Sequence, residues 1–135
     1  MMRRALLLIP LAACLAADPS REVLDMITDA TASLSAGNAR AFLANFDPAM
    51  PDYQKLRENV TTLLSQAEVE SFVDVAGDEG DKQRRTVELN WRMRIRQNRA
   101  ATAAPGREQL IKCRVEKQKG KWRITSLEPV DFFAP

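Results

Sequence analysis

The sequence predicts an α+β domain, with helices in its first half packed on a curved antiparallel sheet of about four strands in its second. Two observations carry this reading. Apolar residues recur at helical spacing as far as Ala67, and from Glu68 onward they recur at every second position. The apolar faces of successive strands then match across their turns, which gives one sheet with a dry side and a wet side.

The first helix begins at Asp18-Pro19, an N-cap followed by proline in the first turn. Val23, Met26, Ile27, Ala30 and Leu34 form its apolar stripe, and Ser35-Ala36-Gly37 interrupts it. Asn38 caps a second short helix carrying Phe42, Leu43 and Phe46. Asp47-Pro48 and Met50-Pro51 then break the chain twice, since a proline disfavours helix in the residue before it. A third helix is expected from about Asp52 to Ala67, with Leu56, Val60, Leu63 and Leu64 facing inward.

A first strand is expected over Val69 to Val75, ending in the turn residues Gly77-Asp78-Glu79-Gly80-Asp81. In the second, Val87, Leu89, Trp91, Met93 and Ile95 alternate with Glu88, Asn90, Arg92, Arg94 and Arg96. An Ala-rich loop, Asn98 to Gly106, leads to a third strand with Ile111, Cys113 and Val115 on one face. Lys119-Gly120 suits a two-residue hairpin, which sets Lys117 opposite Trp122, Glu116 opposite Arg123 and Val115 opposite Ile124, and continues the inward face to Ser126.

Ahead of the first helix, MMRRALLLIPLAACLAA has the three parts of an export signal. Arg3 and Arg4 form a positive start, Ala5 to Leu11 an apolar run, and Ala12 to Ala17 a small-residue cleavage region. The run is shorter than the roughly 20 residues needed to span a bilayer. Residues 1–17 therefore read as a signal peptide and residues 18–135 as the domain, located in the periplasm or cell envelope. Leu11-Ala12-Ala13-Cys14 also fits a lipobox, so the mature chain is either soluble, cleaved near Ala17, or anchored through a lipidated Cys14. Lipidation is the only route to a membrane that the sequence offers.

The formal charge of +2 comes from Arg3 and Arg4, and without them the chain is neutral. No bulk charge points to nucleic acid. Residues 14–83 carry 5 basic and 13 acidic side chains, whereas residues 84–135 carry 13 basic and 5 acidic ones. With Cys14 lipidated or removed, Cys113 has no disulfide partner. Histidine is absent, which removes the commonest general base and the commonest metal ligand, and no metal or cofactor is expected.

Two segments carry a family resemblance. SLSAGNARAFLANF resembles the helix-break-helix entry, and IKCRVEKQKGKWRITSLEPVDFF the closing hairpin, of the nuclear transport factor two-like superfamily, shared with ketosteroid isomerases and SnoaL-like polyketide cyclases. The resemblance implies a sheet wrapped around helices into a conical pocket, and the leader makes this an exported bacterial member. It implies no single activity, because members of the superfamily include enzymes, binding modules and structural domains.

Enzymes of that superfamily do acid-base work inside the pocket. Among the inward residues expected here only Cys113 could act as a base, so no catalytic residue is carried over. Asp47, Asp52 and Tyr53, at the chain break, are the weak catalytic candidates, against ordinary capping roles for the two aspartates. Phe42, Phe46, Trp91, Met93, Cys113 and Trp122 are candidates to line a pocket for a small apolar ligand, or simply to fill the core. Arg92, Arg94, Arg96, Lys112, Arg114 and Arg123 share the outer face with only Glu88 and Glu116, and are candidates to dock an anionic envelope partner. The expected function is a non-catalytic binding or interaction module of the bacterial cell envelope. The alternatives are a small acid-base enzyme of the isomerase or cyclase type and a structural domain that forms homodimers.

Overall fold

The structure, a computed structural model, describes residues 18–97 and 105–135. The leader with Cys14, and the Ala-rich connection from Asn98 to Ala104, lie outside the described residues.

Helix α1, Pro19–Ser35, starts as the sequence predicts, with Asp18 Oδ1 accepting from the Ser20 N–H at 3.1 Å. It buries Val23, Ile27, Ala30 and Leu34. Gly37, at φ 73°, turns the chain out of the helix while its N–H reaches the Leu34 carbonyl at 3.0 Å. Asn38 Oδ1 then accepts from the Ala41 N–H at 3.0 Å and opens the short helix α2, Ala39–Leu43. Helix α3, Tyr53–Gln66, buries Leu56, Val60 and Leu63.

Four antiparallel strands follow in sheet order β1-β2-β3-β4: β1 Glu68–Gly80, β2 Arg84–Arg96, β3 Gly106–Gln118 and β4 Lys121–Glu128. Lys119 (φ 52°) and Gly120 (φ 80°) make the β3–β4 turn, both in the left-handed region that a two-residue hairpin turn requires. The pairings Lys117–Trp122, Glu116–Arg123 and Val115–Ile124 are those the sequence predicts.

Three features depart from the sequence reading. Residues 77–80 are strand and not turn: a bulge at Ala76 resets the register, and the turn falls at Asp81–Gln83. There Asp81 Oδ1 accepts from the N–H groups of Gln83 and Arg84, at 2.8 and 2.9 Å. A second bulge, at Thr125, pairs Arg114 with Ser126 and Val115 with Ile124. It takes Ser126 out of the inward row and sets buried Leu127 opposite Cys113. Last, Val130–Phe133 forms a closing 3-10 turn that buries Val130, Phe132 and Phe133.

Both ends of the sheet are tied to the helices. The chain after α2 runs beside β4, with Ile124 N–H donating to the Asn45 carbonyl at 2.8 Å and Asp47 N–H to the Ile124 carbonyl at 2.9 Å. This covers an edge strand that would otherwise expose unpaired backbone. At the opposite corner Arg85 binds Asp78 at 2.8 Å and Ser20 Oγ at 3.1 Å, joining the β1–β2 hairpin to the start of α1.

Candidate functional site

The concave side of the sheet is filled by side chains. Phe42 packs on Phe46 with ring centroids 5.0 Å apart, and Trp91 meets Phe133 edge-on at 5.1 Å. Phe42 also touches Trp91 and Phe133, at 6.3 and 5.6 Å, so all four rings form one cluster. Such ring contacts add to the apolar area buried by each aromatic. Met93 and Cys113 are buried beside them, and Trp122 closes the cluster's flank with its indole N–H on Glu22 Oε1 at 2.9 Å. The six residues expected to line a pocket therefore sit in the packed core, the filling alternative that their sequence pattern left open.

The interior is chemically quiet. Ser71 is its buried polar side chain, and its hydroxyl accepts from Trp91 Nε1 at 2.7 Å. Burial pushes the Cys113 thiol up to about 12, so it stays protonated at neutral pH and is a poor nucleophile. Among the described residues no group of His, Cys, Asp or Glu is placed to hold a metal ion.

A cleft of about 820 Å³ runs between α2, α3 and the edge of β4. Its apolar walls come from Ala39, Leu43, Ala44, Phe46 and Pro48, and its polar side from Tyr53, Arg57, Glu58, Thr61 and Thr62 of α3. Arg40 and Arg123 flank it, and the Arg123 guanidinium rests 3.4 Å from the Phe46 carbonyl. Of the α3 residues, the sequence reading singled out Tyr53 and not Arg57 or Thr61; the spacing of four residues, which stacks the three in one row, is the signal that links them.

No family model matches this sequence, and no curated protein does. Solved structures match it well in shape. A protein of unknown function with a cystatin-like fold from Nostoc punctiforme is 18% identical, covering 80% of this chain and 86% of its own, with a TM-score of 0.64. An NTF-2 like protein of unknown function from Shewanella oneidensis is 10% identical, covering 82% and 97%, with a TM-score of 0.65. A putative scytalone dehydratase from Novosphingobium aromaticivorans is 15% identical, covering 80% of each chain, with a TM-score of 0.66. The chain has the nuclear transport factor two-like fold.

The nuclear transport factor two-like cone explains the placement of the aspartate and tyrosine candidates. Asp47 lies where the chain crosses the β4 edge, and both its oxygens are engaged: Oδ1 accepts from the Ala49 N–H and Oδ2 from Gln118 Nε2, each at 2.9 Å. The Gln118 hydrogen bond, then that from Ala49, hold its carboxyl below the usual range, with Arg123 adding to the effect. Asp52 does not cap α3 as expected. Its backbone is left-handed (φ 62°), which turns the exposed side chain away from the first N–H groups of the helix. Of the three, only Tyr53 borders the cleft.

The outer face of the nuclear transport factor two-like sheet differs from the basic patch read from β2 to β4. Pairing brings in acidic residues that the strand-by-strand reading did not place there. Arg96 lies opposite Glu68, Arg94 opposite Glu70, Arg92 opposite Glu108, and Lys112 between Glu88 and Glu128. Arg92 also approaches Asp74 at 3.6 Å and lies over the Phe72 ring at 5.6 Å. Arg114 sits between Thr86 and Ser126, and Arg123 opposite Glu116. The acidic first half of the sequence is thus laid against its basic second half, and the face is mixed in charge.

Proposed function

We propose that this chain is an exported, non-catalytic binding or interaction module of the bacterial cell envelope, and that it presents its ligand site outside the cone. One observation carries the reading: the cone is occupied by Phe42, Phe46, Trp91 and Phe133, while a cleft of about 820 Å³ opens between α2, α3 and the edge of β4. A dehydratase, as the Novosphingobium neighbour is named, needs an acid and a base at its substrate. Here the concave side offers the Cys113 thiol and the Ser71 hydroxyl, one held protonated by burial and the other engaged by Trp91. Export rests on the leader, whose charged start, apolar run and small-residue end are those of a signal peptide.

Native mass spectrometry of the protein purified from its own envelope tests this. The expected result is a non-covalently carried molecule or partner polypeptide that keeps its mass on incubation with the protein. A protein-dependent change in that mass would show turnover and refute the reading. The same spectrum weighs the mature N-terminus, distinguishing a diacylglyceryl Cys14 from a free end near Ala17 or Asp18.

A further inference from the structure

The walls of the cleft between α2, α3 and the edge of β4 are unlike in chemistry. One wall is apolar: Ala39, Ala44 and Pro48 form its surface, with Leu43 and Phe46 buried behind them. Across it stands the polar row of α3, with Arg57, Thr61 and Thr62, while Arg40 and Arg123 flank the opening. Three guanidinium groups face one carboxylate, Glu58, whose Oε1 already accepts from Gln54 Nε2 at 3.3 Å. Arg40 and Arg57 form no ion pair with any described residue.

The ion-paired cations lie elsewhere in the molecule. On the sheet's outer face, basic and acidic side chains alternate across the strands, and Arg85 is matched by Asp78. Elsewhere Lys117 is matched by Glu22 and Lys55 by Asp131. In the cleft, Arg40 and Arg57 stand beside apolar surface without an ion-pair partner among the described residues, and Arg123, opposite Glu116 and near Asp47, adds a third cation. A guanidinium presents paired donors that suit a carboxylate or phosphate, and the bond is strengthened where neighbouring apolar walls exclude water. The volume of about 820 Å³ is that of a small-molecule site.

We propose that this cleft binds a small amphiphilic organic anion, with its carboxylate or phosphate head held by Arg57 and Arg123 and its apolar body laid along Ala39, Ala44 and Pro48. Arg40 adds to the positive field at the opening. Tyr53, at the start of α3, offers a phenol that can accept or donate at the head group. The inference deepens the binding-module reading and rests on it for the site's place outside the cone.

Titration of the 15N-labelled mature chain with decanoate and with 1-naphthoate, below any micelle concentration, tests the inference directly. Acetate and decyltrimethylammonium are the controls that lack the apolar body and the negative charge. The expected result is saturable amide shifts confined to residues 39–48, 53–62 and 123 with one or both organic anions, and none that saturate with either control. Arg57→Gln and Arg123→Gln should each weaken binding about tenfold, and Arg92→Gln on the sheet's outer face should leave it unchanged.

Shifts that saturate elsewhere, equal binding of the cation, or unchanged affinity in both cleft variants would overturn the assignment. So would an absence of saturable shifts with both anions. The two readings fail separately. A molecule carried from the envelope that stays bound to the Arg57→Gln/Arg123→Gln protein removes the cleft assignment and leaves the binding module. Turnover of a carried molecule removes the non-catalytic reading and leaves the anion site to the titration.

Discussion

Trp91 Nε1 donates to Ser71 Oγ at 2.7 Å, across the β1–β2 pairing and beneath α1. Thr31 Oγ1 lies 3.4 Å from the same hydroxyl, and the Ser71 N–H donates to Ser35 Oγ at 2.9 Å. These contacts let a large indole occupy the centre of the cone without leaving its N–H unpaired, and they fix α1 against β1. A polar link in a dry core is strongly orienting when complete and costly when cut.

Ser71→Ala should therefore destabilise the fold by about 1–3 kcal/mol, the cost of a buried donor left without an acceptor. Trp91→Phe removes the donor together with part of the ring. The double variant should lose less than the sum of the two single ones, because no orphaned N–H remains. Urea unfolding of the four proteins measures the coupling. Strict additivity would mean that the bond contributes nothing.

Glu22 is the second internal tie, accepting from Trp122 Nε1 at 2.9 Å and from Lys117 Nζ at 3.3 Å. The Trp122 bond chiefly, then Lys117, holds its carboxyl below the ordinary value of 4.5. Asp47 and Asp81 are held below their ordinary 3.8, by Gln118 and Ala49 and by the Gln83 and Arg84 N–H groups respectively. A carboxyl whose folded pKa is depressed stabilises the fold fully above its unfolded pKa, and that stabilisation disappears as pH falls through the folded one. Stability should hold down to about pH 5 and then decline. Glu22→Gln should be less stable than the parent at pH 7, and the gap should narrow as pH falls below 4.5. Unfolding midpoints across that range decide it; a gap of constant size would exclude a role for the Glu22 charge.

Cys113 should be silent in the folded protein. It is 1% exposed, lies opposite Leu127 and Val87, and has its thiol pushed up to about 12 by burial. Iodoacetamide at pH 8 should leave it unmodified in buffer and alkylate it in urea, as read by the intact mass of residues 18–135. Rapid labelling of the native chain would reopen Cys113 as a functional group.

The architecture was legible in the sequence because its signals are long. Val87 to Ile95 alternate without a break, and Asp18-Pro19 and Asn38 carry the capping chemistry that the structure uses. The bulges at Ala76 and Thr125 were not legible, since each shifts the alternation by one residue and too little strand follows it to mark the new phase, which the partner's register makes plain. The mixed charge of the outer face was hidden for the same reason: Glu68, Glu70 and Glu108 matter through the residues they lie opposite. Tyr53 was singled out, but the rest of the cleft escaped because Arg57 and Thr61 read as an ordinary solvated helix face until α2 is placed beside them.

The last six residues were also unassigned by periodicity, yet they complete the core. Phe133 is fully buried against Trp91, Phe42 and Phe132, and the segment is held by Asn59 Nδ2 on the Val130 carbonyl at 3.2 Å and by Arg107 on the Phe132 carbonyl at 2.8 Å. Phe133→Ala would leave a void beside Trp91 and should cost about 3–5 kcal/mol. Asp131→Asn, in the same turn, breaks an ion pair with Lys55 whose side chains are 71% and 56% exposed, and should leave the unfolding midpoint nearly unchanged. A closing turn that merely decorated the surface would give the opposite order: small for Phe133→Ala, and no smaller for Asp131→Asn. Chemical denaturation of the two variants beside the parent distinguishes a segment that finishes the cone from one that hangs on it.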